Sequence, residues 1–436
     1  MERIAEKAAP LLNLPPLRSP MKPDYPEKFS RIAPHTLYPH LAPEQQQQVA
    51  TWATHFALTQ QELRQVCEWL RDLTMWQVTP LASAPPTPTH KKQLLASLQQ
   101  QHQTLAAAGP RFDPLPQHRE TTPPRTPQWL ERNQLGLGNC PVASERTRCC
   151  NLLTLDMVEN CGFGCSYCSI QTFYGEREVR FDRSFASKLA QLTLDPEKTY
   201  HIGTGQSSDS LMWGNSHGAL QALLDFATRH PNVILELKSK SANIAHLLRA
   251  ELPPNLLCTW SLNPQPVIDH EEHGTAPLAK RLEAARTLAD RGVLIGFHFH
   301  PIIRYQGGEA DYRALAAELQ RRFTPSETAL ISLGTLTYIK PVLRTLRQRG
   351  TPSKILQMPL HSAAGKLSYP PEVKRELFRT LYHSFSPAWQ QQVFFYLCME
   401  EPALWQEVFG YQYPDNEHFE QAMLNHYRNA IARSSA

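Results

Sequence analysis

Cys161, Cys165 and Cys168 place three thiols within eight positions of the stretch ENCGFGCSYCSIQTFYG, residues 159–175. The spacing C-x3-C-x2-C suits metal ligation. Structural zinc sites usually take four protein ligands as two separated pairs, and no second pair follows nearby. Three thiolates therefore leave one metal position open. A cubane iron–sulfur cluster has four irons, and ferredoxin-type clusters take four cysteines, so three leave one iron free to bind a small molecule. Gly162 and Gly164 suit a loop that wraps a cluster with unusual backbone angles, and Tyr167, just before the last cysteine, is placed to pack over a cofactor. A structural zinc site, or thiols that only pack in a core, are the plainer alternatives.

The surrounding elements must position that loop. From about residue 150, short apolar runs (LLTLDMV, TYHIGTG, VILELKS, LLCTWSL, LIGFHFHPII, TALISLGTL) alternate with longer amphipathic ones such as GALQALLDFATRH and DYRALAAELQRRF. Six such pairs predict a parallel sheet with right-handed crossovers, either an open doubly wound sheet or an incomplete β/α barrel. In both, chemistry sits at the C-terminal strand ends. The cysteine loop directly follows the first strand.

Residues 1–130 read as a helical, proline-rich region. APEQQQQVATWATHFALTQQELRQVCEWLRDLTMW predicts two amphipathic helices, with Ala53, Leu63, Val66 and Leu70 among the apolar positions, and KKQLLASLQQQHQTLAAA a third. The proline-dense stretches LLNLPPLRSPMKPDYPEKF, LASAPPTPTH and GPRFDPLPQHRETTPPRTPQ read as extended connectors. Residues 131–355 would form the barrel, and 356–436 a helical C-terminal extension packed on it.

The formal net charge of +4 permits nucleic-acid contact without arguing for it. No run approaches the ~20 apolar residues of a membrane span, and the N-terminus lacks a signal-peptide pattern. The expectation is a cytoplasmic protein, with no membrane partner. The nine cysteines are uneven in number and spacing, which favours thiols acting as ligands or core residues over a disulfide framework.

The cysteine spacing, the aromatic before the last cysteine and the position after strand one resemble the radical S-adenosylmethionine superfamily. That resemblance implies an incomplete parallel (β/α)6 barrel with helical appendages at both ends, and a [4Fe-4S] cluster on Cys161, Cys165 and Cys168. It further implies that the free iron chelates S-adenosyl-L-methionine, whose reductive cleavage yields a 5′-deoxyadenosyl radical. An external electron donor such as flavodoxin or ferredoxin would feed it.

The likeness extends in order through HIGTGQSSDSL, LELKSKSANIAHLL, TWSLNP, VLIGFHFHPIIRYQGGEADY, GKLSYP and VFFYLCMEEPALWQEVFG, and here it resembles the spore photoproduct lyase family. That family reverses a thymine lesion, so the resemblance implies DNA as substrate partner. Carried over by position, Gly203, Thr204 and Gly205 would meet the methionine part of the cofactor, Ser207 and Asp209 would hydrogen-bond it, Lys240 would pair with its carboxylate, and Ser261 would line the same side. Tyr167 would belong to the radical relay. Two positions depart from the lesion-reversing pattern: Gln206 stands where those members carry a hydrogen-donor cysteine, and Ser169 where they carry a second tyrosine.

Other residues are candidates for the missing role or for substrate contact. Cys258, beside strand four, faces either cavity or core. Cys140, Cys149 and Cys150 precede strand one in no ligand pattern. His298 and His300 alternate on one strand and share a face. Arg304 and Tyr305 follow at its end, an arginine beside an aromatic that suits a nucleic-acid backbone and a base. The leading expectation is a radical enzyme acting on a pyrimidine lesion in DNA. The alternatives are the same chemistry on modified RNA, a peptide or a metabolite, and a non-catalytic iron–sulfur protein that binds DNA.

Overall fold

The computed structural model describes residues 25–78, 90–113, 126–140, 146–170, 173–174, 178–363 and 365–434. Most of the proline-rich connectors lie outside the described residues. The N-terminal helices are α1 (Tyr25–Ile32), α2 (Pro43–Phe56), α3 (Gln60–Met75) and α4 (Lys91–Ala108). Thr59 caps α3 with a reciprocal Glu62 bond. Their apolar faces meet in a core of their own, around Val49, Leu63, Val66 and Leu98.

The main sheet contains β1 (Leu137–Asn139), β2 (Leu153–Leu155), β3 (Tyr200–Thr204), β4 (Val233–Ser239), β5 (Leu256–Ser261), β6 (Leu294–Ile302), β7 (Thr328–Thr335) and β8 (Phe394–Leu397). Neighbours in space are neighbours in sequence, from β1 at one edge to β8 at the other. All pairings are parallel except β1 with β2. Every residue of β5 and β7 is buried, as expected when both faces are covered. Alternation sorts the side chains: Glu236, Lys238, Thr259, Ser261, His298, His300 and Ser332 share the concave face, while their neighbours Leu235, Leu237, Trp260, Phe297 and Leu333 face the other way. The six expected strands are all present in a curled half-barrel.

Several elements differ from the sequence reading, among them the antiparallel strands His361–Ala363 and Lys366–Ser368 inside the region expected to be helical. The C-terminal region, expected to be helical, contributes β8, because a short apolar run such as FFYL has no periodicity to separate a buried strand from a buried helix turn. Thr126–Leu130, expected at the end of the helical region, is a strand paired with Glu178–Asp182, which also pairs with Val158–Glu159. This small sheet braces both ends of the cysteine loop.

The two edges of the large sheet are tied together. Arg148, just before β2, donates its N–H to Glu400 O, just after β8 (2.9 Å), in an isolated antiparallel bridge. The N-terminal helices dock through an ion pair on the buried Asp72, Arg347 Nε to Asp72 Oδ1 and Nη2 to Oδ2, both 2.8 Å. Among the described residues no helix is long and apolar enough to cross a membrane.

Candidate active site

The cysteine loop is held from both sides. Asn160, in a left-handed conformation (φ +65°), accepts from Cys161 N (2.9 Å) and donates to Glu178 O (2.7 Å). Gly164 and Cys165 pair antiparallel with His273 and Glu272, and Ser166 binds Glu271 through both its backbone N–H and its hydroxyl. Ser353 Oγ and Lys354 N also donate to the Glu271 carboxylate (2.7 and 2.8 Å), so the loop is anchored to chain almost 200 residues away. Gly162 packs closely: a Cβ there would lie 2.3 Å from Met212 Cε and 3.0 Å from the Trp213 ring, so Met212 would have to move.

Cys161, Cys165 and Cys168 open onto a cavity of about 170 Å³ at the C-terminal ends of β3, β4 and β5. Its wall also carries Tyr167, Gly205, Gln206, Ser207, Asp209, Lys238, Lys240, Ser261 and His300. Phe163 N donates to Cys161 Sγ (3.5 Å), a contact suited to a thiolate. As unligated thiols, Cys161 is pushed well above its usual pKa and Cys165 up to about 12, first by burial, with Lys240 opposing the rise at Cys165. Metal ligation would supply what burial denies. Three thiols at one end of an open cavity, with a lysine ammonium beside them, fit a cluster with one exposed iron. Among the described residues no three His, Cys, Asp or Glu side chains converge closely enough to hold a single metal ion.

The turn after β3 is built on Gly205, at φ +82°, where a Cβ would lie 2.7 Å from Lys238 O and from Ser210 Oγ. Asp209 is a positioning residue. Its carboxylate accepts from Ser239 Oγ (2.8 Å), Lys240 N (2.7 Å), Leu211 N (3.0 Å) and Met212 N (2.9 Å), which locks the turn to the end of β4. Ser207 Oγ is turned toward Asp156 Oδ1 (2.6 Å) and Val158 O (2.9 Å). Gly203 and Thr204 lie in the strand behind this turn: a Cβ on Gly203 would press on Leu152, and the Thr204 hydroxyl meets Ser210 Oγ (2.6 Å). The Lys240 ammonium sits 5.7 Å over the Tyr167 ring.

Tyr167 is more tightly held than its place in the motif suggests. Its hydroxyl donates to Glu272, which is paired with Arg281 (2.5 Å) and accepts from Asn263 Nδ2 (2.9 Å), all fully buried. Burial, then the Glu272 charge, pushes the phenol well above its ordinary pKa, so it stays protonated.

The remaining candidates are placed elsewhere. Cys258 is fully buried and alternates with Thr259 and Ser261, so it faces the core side of β5, away from the cavity. His298 shares the face of His300 but is bound below it: Glu236 takes His298 Nε2 (2.7 Å), His201 Nε2 (2.9 Å) and Thr259 Oγ1 (2.7 Å). Burial, and then Lys238, bring His298 down to about 4, so it is neutral. Burial alone would raise Glu236, but the two imidazoles hold it well below the carboxylate range. His300 reaches the cavity with Nε2 on Ser332 Oγ (2.8 Å). Arg304 Nη1 donates to Ala107 O (3.1 Å), and Tyr305 donates to Asp311 Oδ2 (2.5 Å) with its ring 5.2 Å from Phe112. The last turn of α4 and the segment after it thus cover both.

The sequence reading missed Glu236, Glu271 and Glu272 as organisers. Only the acid inside the apolar run VILELKS signalled one of them.

The family model for spore photoproduct lyase matches residues 147–366. Spore photoproduct lyase from Geobacillus sp. (strain Y412MC61) is 28% identical over 211 residues, 46% of this chain and 61% of that protein. The Bacillus subtilis (strain 168) enzyme is 38% identical over 85 residues, 20% of this chain and 25% of its own. The chain thus spans less than two thirds of the curated relatives it matches. Among solved structures, spore photoproduct lyase complexed with dinucleoside spore photoproduct superposes with a TM-score of 0.52 at 23% identity, covering 62% of this chain and 82% of that one. A mutant spore photoproduct lyase with bound AdoMet and dinucleoside spore photoproduct gives 0.50 at 19% identity, covering 76% and 94%. At such identities the likeness is one of fold. With the family model covering half the chain, cysteine loop and strand ends included, the protein belongs to the spore photoproduct lyase family.

Proposed function

We propose that this protein is a radical S-adenosylmethionine lyase that acts on a pyrimidine photoproduct in DNA. The observation that carries the reading is the single cavity bordered by Cys161, Cys165, Cys168, the Gly205–Asp209 turn, Lys240 and Ser261. A [4Fe-4S] cluster on the three thiolates, with S-adenosylmethionine on its open iron, would supply radical hydrogen abstraction. The chain's own part is to bind and orient. Lys240 offers an ammonium for a carboxylate, and Gly205 lets backbone approach the ligand closely. Neutral His300 and the protonated Tyr167 line the wall without adding charge. The target base would be unstacked from DNA to reach this depth.

Gln206 sets a constraint on the reaction. An amide N–H is too strong a bond to return a hydrogen atom as a thiol does, so a repair reaction here must finish on a different donor. Anaerobic incubation of the reconstituted protein with irradiated thymine-containing oligonucleotides, S-adenosylmethionine and reductant tests the proposal. Loss of photoproduct and recovery of thymine are expected. Cofactor cleavage with photoproduct unchanged would move the same chemistry to another substrate.

A further inference from the structure

The cavity wall carries two lysines, and the proposed chemistry gives a task to only one. Lys238 precedes Lys240 by two residues at the end of β4, so both side chains leave the concave face, from Cα atoms ~6.5 Å apart. Both line the cavity. Lys240, over the Tyr167 ring, stands beside the cysteines and suits the cofactor carboxylate. Lys238 is left over.

No acid neutralises Lys238 at contact. Among the described residues its Nζ makes no hydrogen bond and no ion pair. Asp209 is the only acid among the described residues that line the cavity, and its carboxylate is filled by Ser239 Oγ and three backbone N–H groups. Glu236, two residues back on the same face, is filled by His201, His298 and Thr259. Burial pushes Cys398 up to about 12, so that thiol stays uncharged. A half-buried ammonium with no anion in contact is costly to hold, and burial draws the pKa of Lys238 down. A ligand that brings an anion would offset that cost.

A second donor faces the same space. His300 reaches the cavity from β6 with Nε2 2.8 Å from Ser332 Oγ. With the Ser332 hydroxyl donating to Nε2, the ring proton sits on Nδ1, and a neutral imidazole presents an N–H. Between the two strands β5 puts only the hydroxyls of Thr259 and Ser261 on this face, so no charge separates Lys238 from His300.

We propose that Lys238 and His300 form a phosphate subsite inside the cavity, separate from the carboxylate site at Lys240. This rests on the reading of the cavity as the place of a DNA lesion. A thymine photoproduct has uncharged bases at neutral pH, so the anion it can offer Lys238 is the phosphate that joins its two nucleosides. Lysine meets phosphate as a point charge, and the imidazole N–H adds direction. The two cations thus divide the cavity between cofactor and substrate.

The test is calorimetric titration of the reconstituted full chain, with S-adenosylmethionine in excess, using the thymine photoproduct dimer prepared with and without its bridging phosphate. The wild type should bind the phosphate-bearing dimer about tenfold more tightly, the size of one charge-assisted contact. Lys238→Met should reduce that preference below twofold while leaving the affinity for the phosphate-free dimer unchanged, which also shows that the variant is folded. Lys238→Arg should restore most of it, and Lys240→Met should keep it. Equal affinity of the wild type for the two dimers, binding of neither, or a preference that survives Lys238→Met would each overturn the subsite. The readout is binding, so a phosphate preference without any repair would remove the proposed reaction and leave the subsite standing.

Discussion

The two walls of the cavity differ in how they are built. On the cysteine side, residues from the loop after β2, the turn after β3 and the ends of β4 and β5 arrive together, and short-range contacts such as Asp209 with Lys240 N (2.7 Å) hold them. On the β6 side only His300, among the described residues, reaches the cavity. His298 is sealed into the Glu236 network, and Arg304 and Tyr305 lie beneath the segment that leaves α4. The cysteine wall converges from four strand ends and is fixed by many hydrogen bonds between them, whereas the β6 candidates other than His300 are taken up by packing outside the cavity.

Substitutions on the two sides should separate accordingly. Replacing Cys168 by alanine should have the largest effect, abolishing cluster iron and cofactor cleavage while circular dichroism stays native; iron retained at the wild-type level would break the comparison. Next comes Asp72→Asn, which removes the buried charge that pairs with the partly buried Arg347 and leaves it only the more distant Glu68 (3.9 Å). Breaking a partly buried, doubly hydrogen-bonded pair costs on the order of 2 kcal/mol, so the N-terminal helices should become protease-sensitive. The cysteine wall should stay intact, as read by iron content.

His298 gives a pH-dependent test of about the same size. Its folded pKa, about 4, lies below the unfolded value, so between the two the unfolded chain binds more protons. Its stabilisation is present above an unfolded pKa of ~6.5 and is lost as pH falls toward 4, by on the order of 3 kcal/mol. Urea midpoints between pH 7 and 5 should drop in the wild type and drop less in His298→Gln; equal slopes would remove His298 from that role. Arg304→Ala should be smallest. It gives up one hydrogen bond to Ala107 O, worth about 1 kcal/mol, and should change cofactor cleavage less than twofold. A large loss would put Arg304 in the site after all.

Much of the architecture was legible because its signals are local. The six strands follow from apolar runs between amphipathic ones, and the place of the cysteine loop after the first of them from the order of those runs. β8 was not, because FFYL sits among helical patterns and is a strand only by virtue of the open edge of β7. Cys258 illustrates parity: one residue's shift along β5 decides between cavity and core, and the run LLCTWS is apolar enough on both faces to hide which is which. Glu236 could be seen as an acid in a strand, but its partners His201 and His298 come from β3 and β6, and only the sheet order unites them. The cover over Arg304 was invisible for the same reason, since Ala107 is almost 200 residues away.

The central claim is that the three thiols and the strand-end turn beside them form one radical-generating site. Anaerobic reconstitution with iron and sulfide, followed by S-adenosylmethionine and dithionite, measures it through release of 5′-deoxyadenosine. The account predicts release that requires Cys161, Cys165 and Cys168 together. A protein that takes up four irons yet releases none, or releases it equally well with any of the three replaced by alanine, would contradict it.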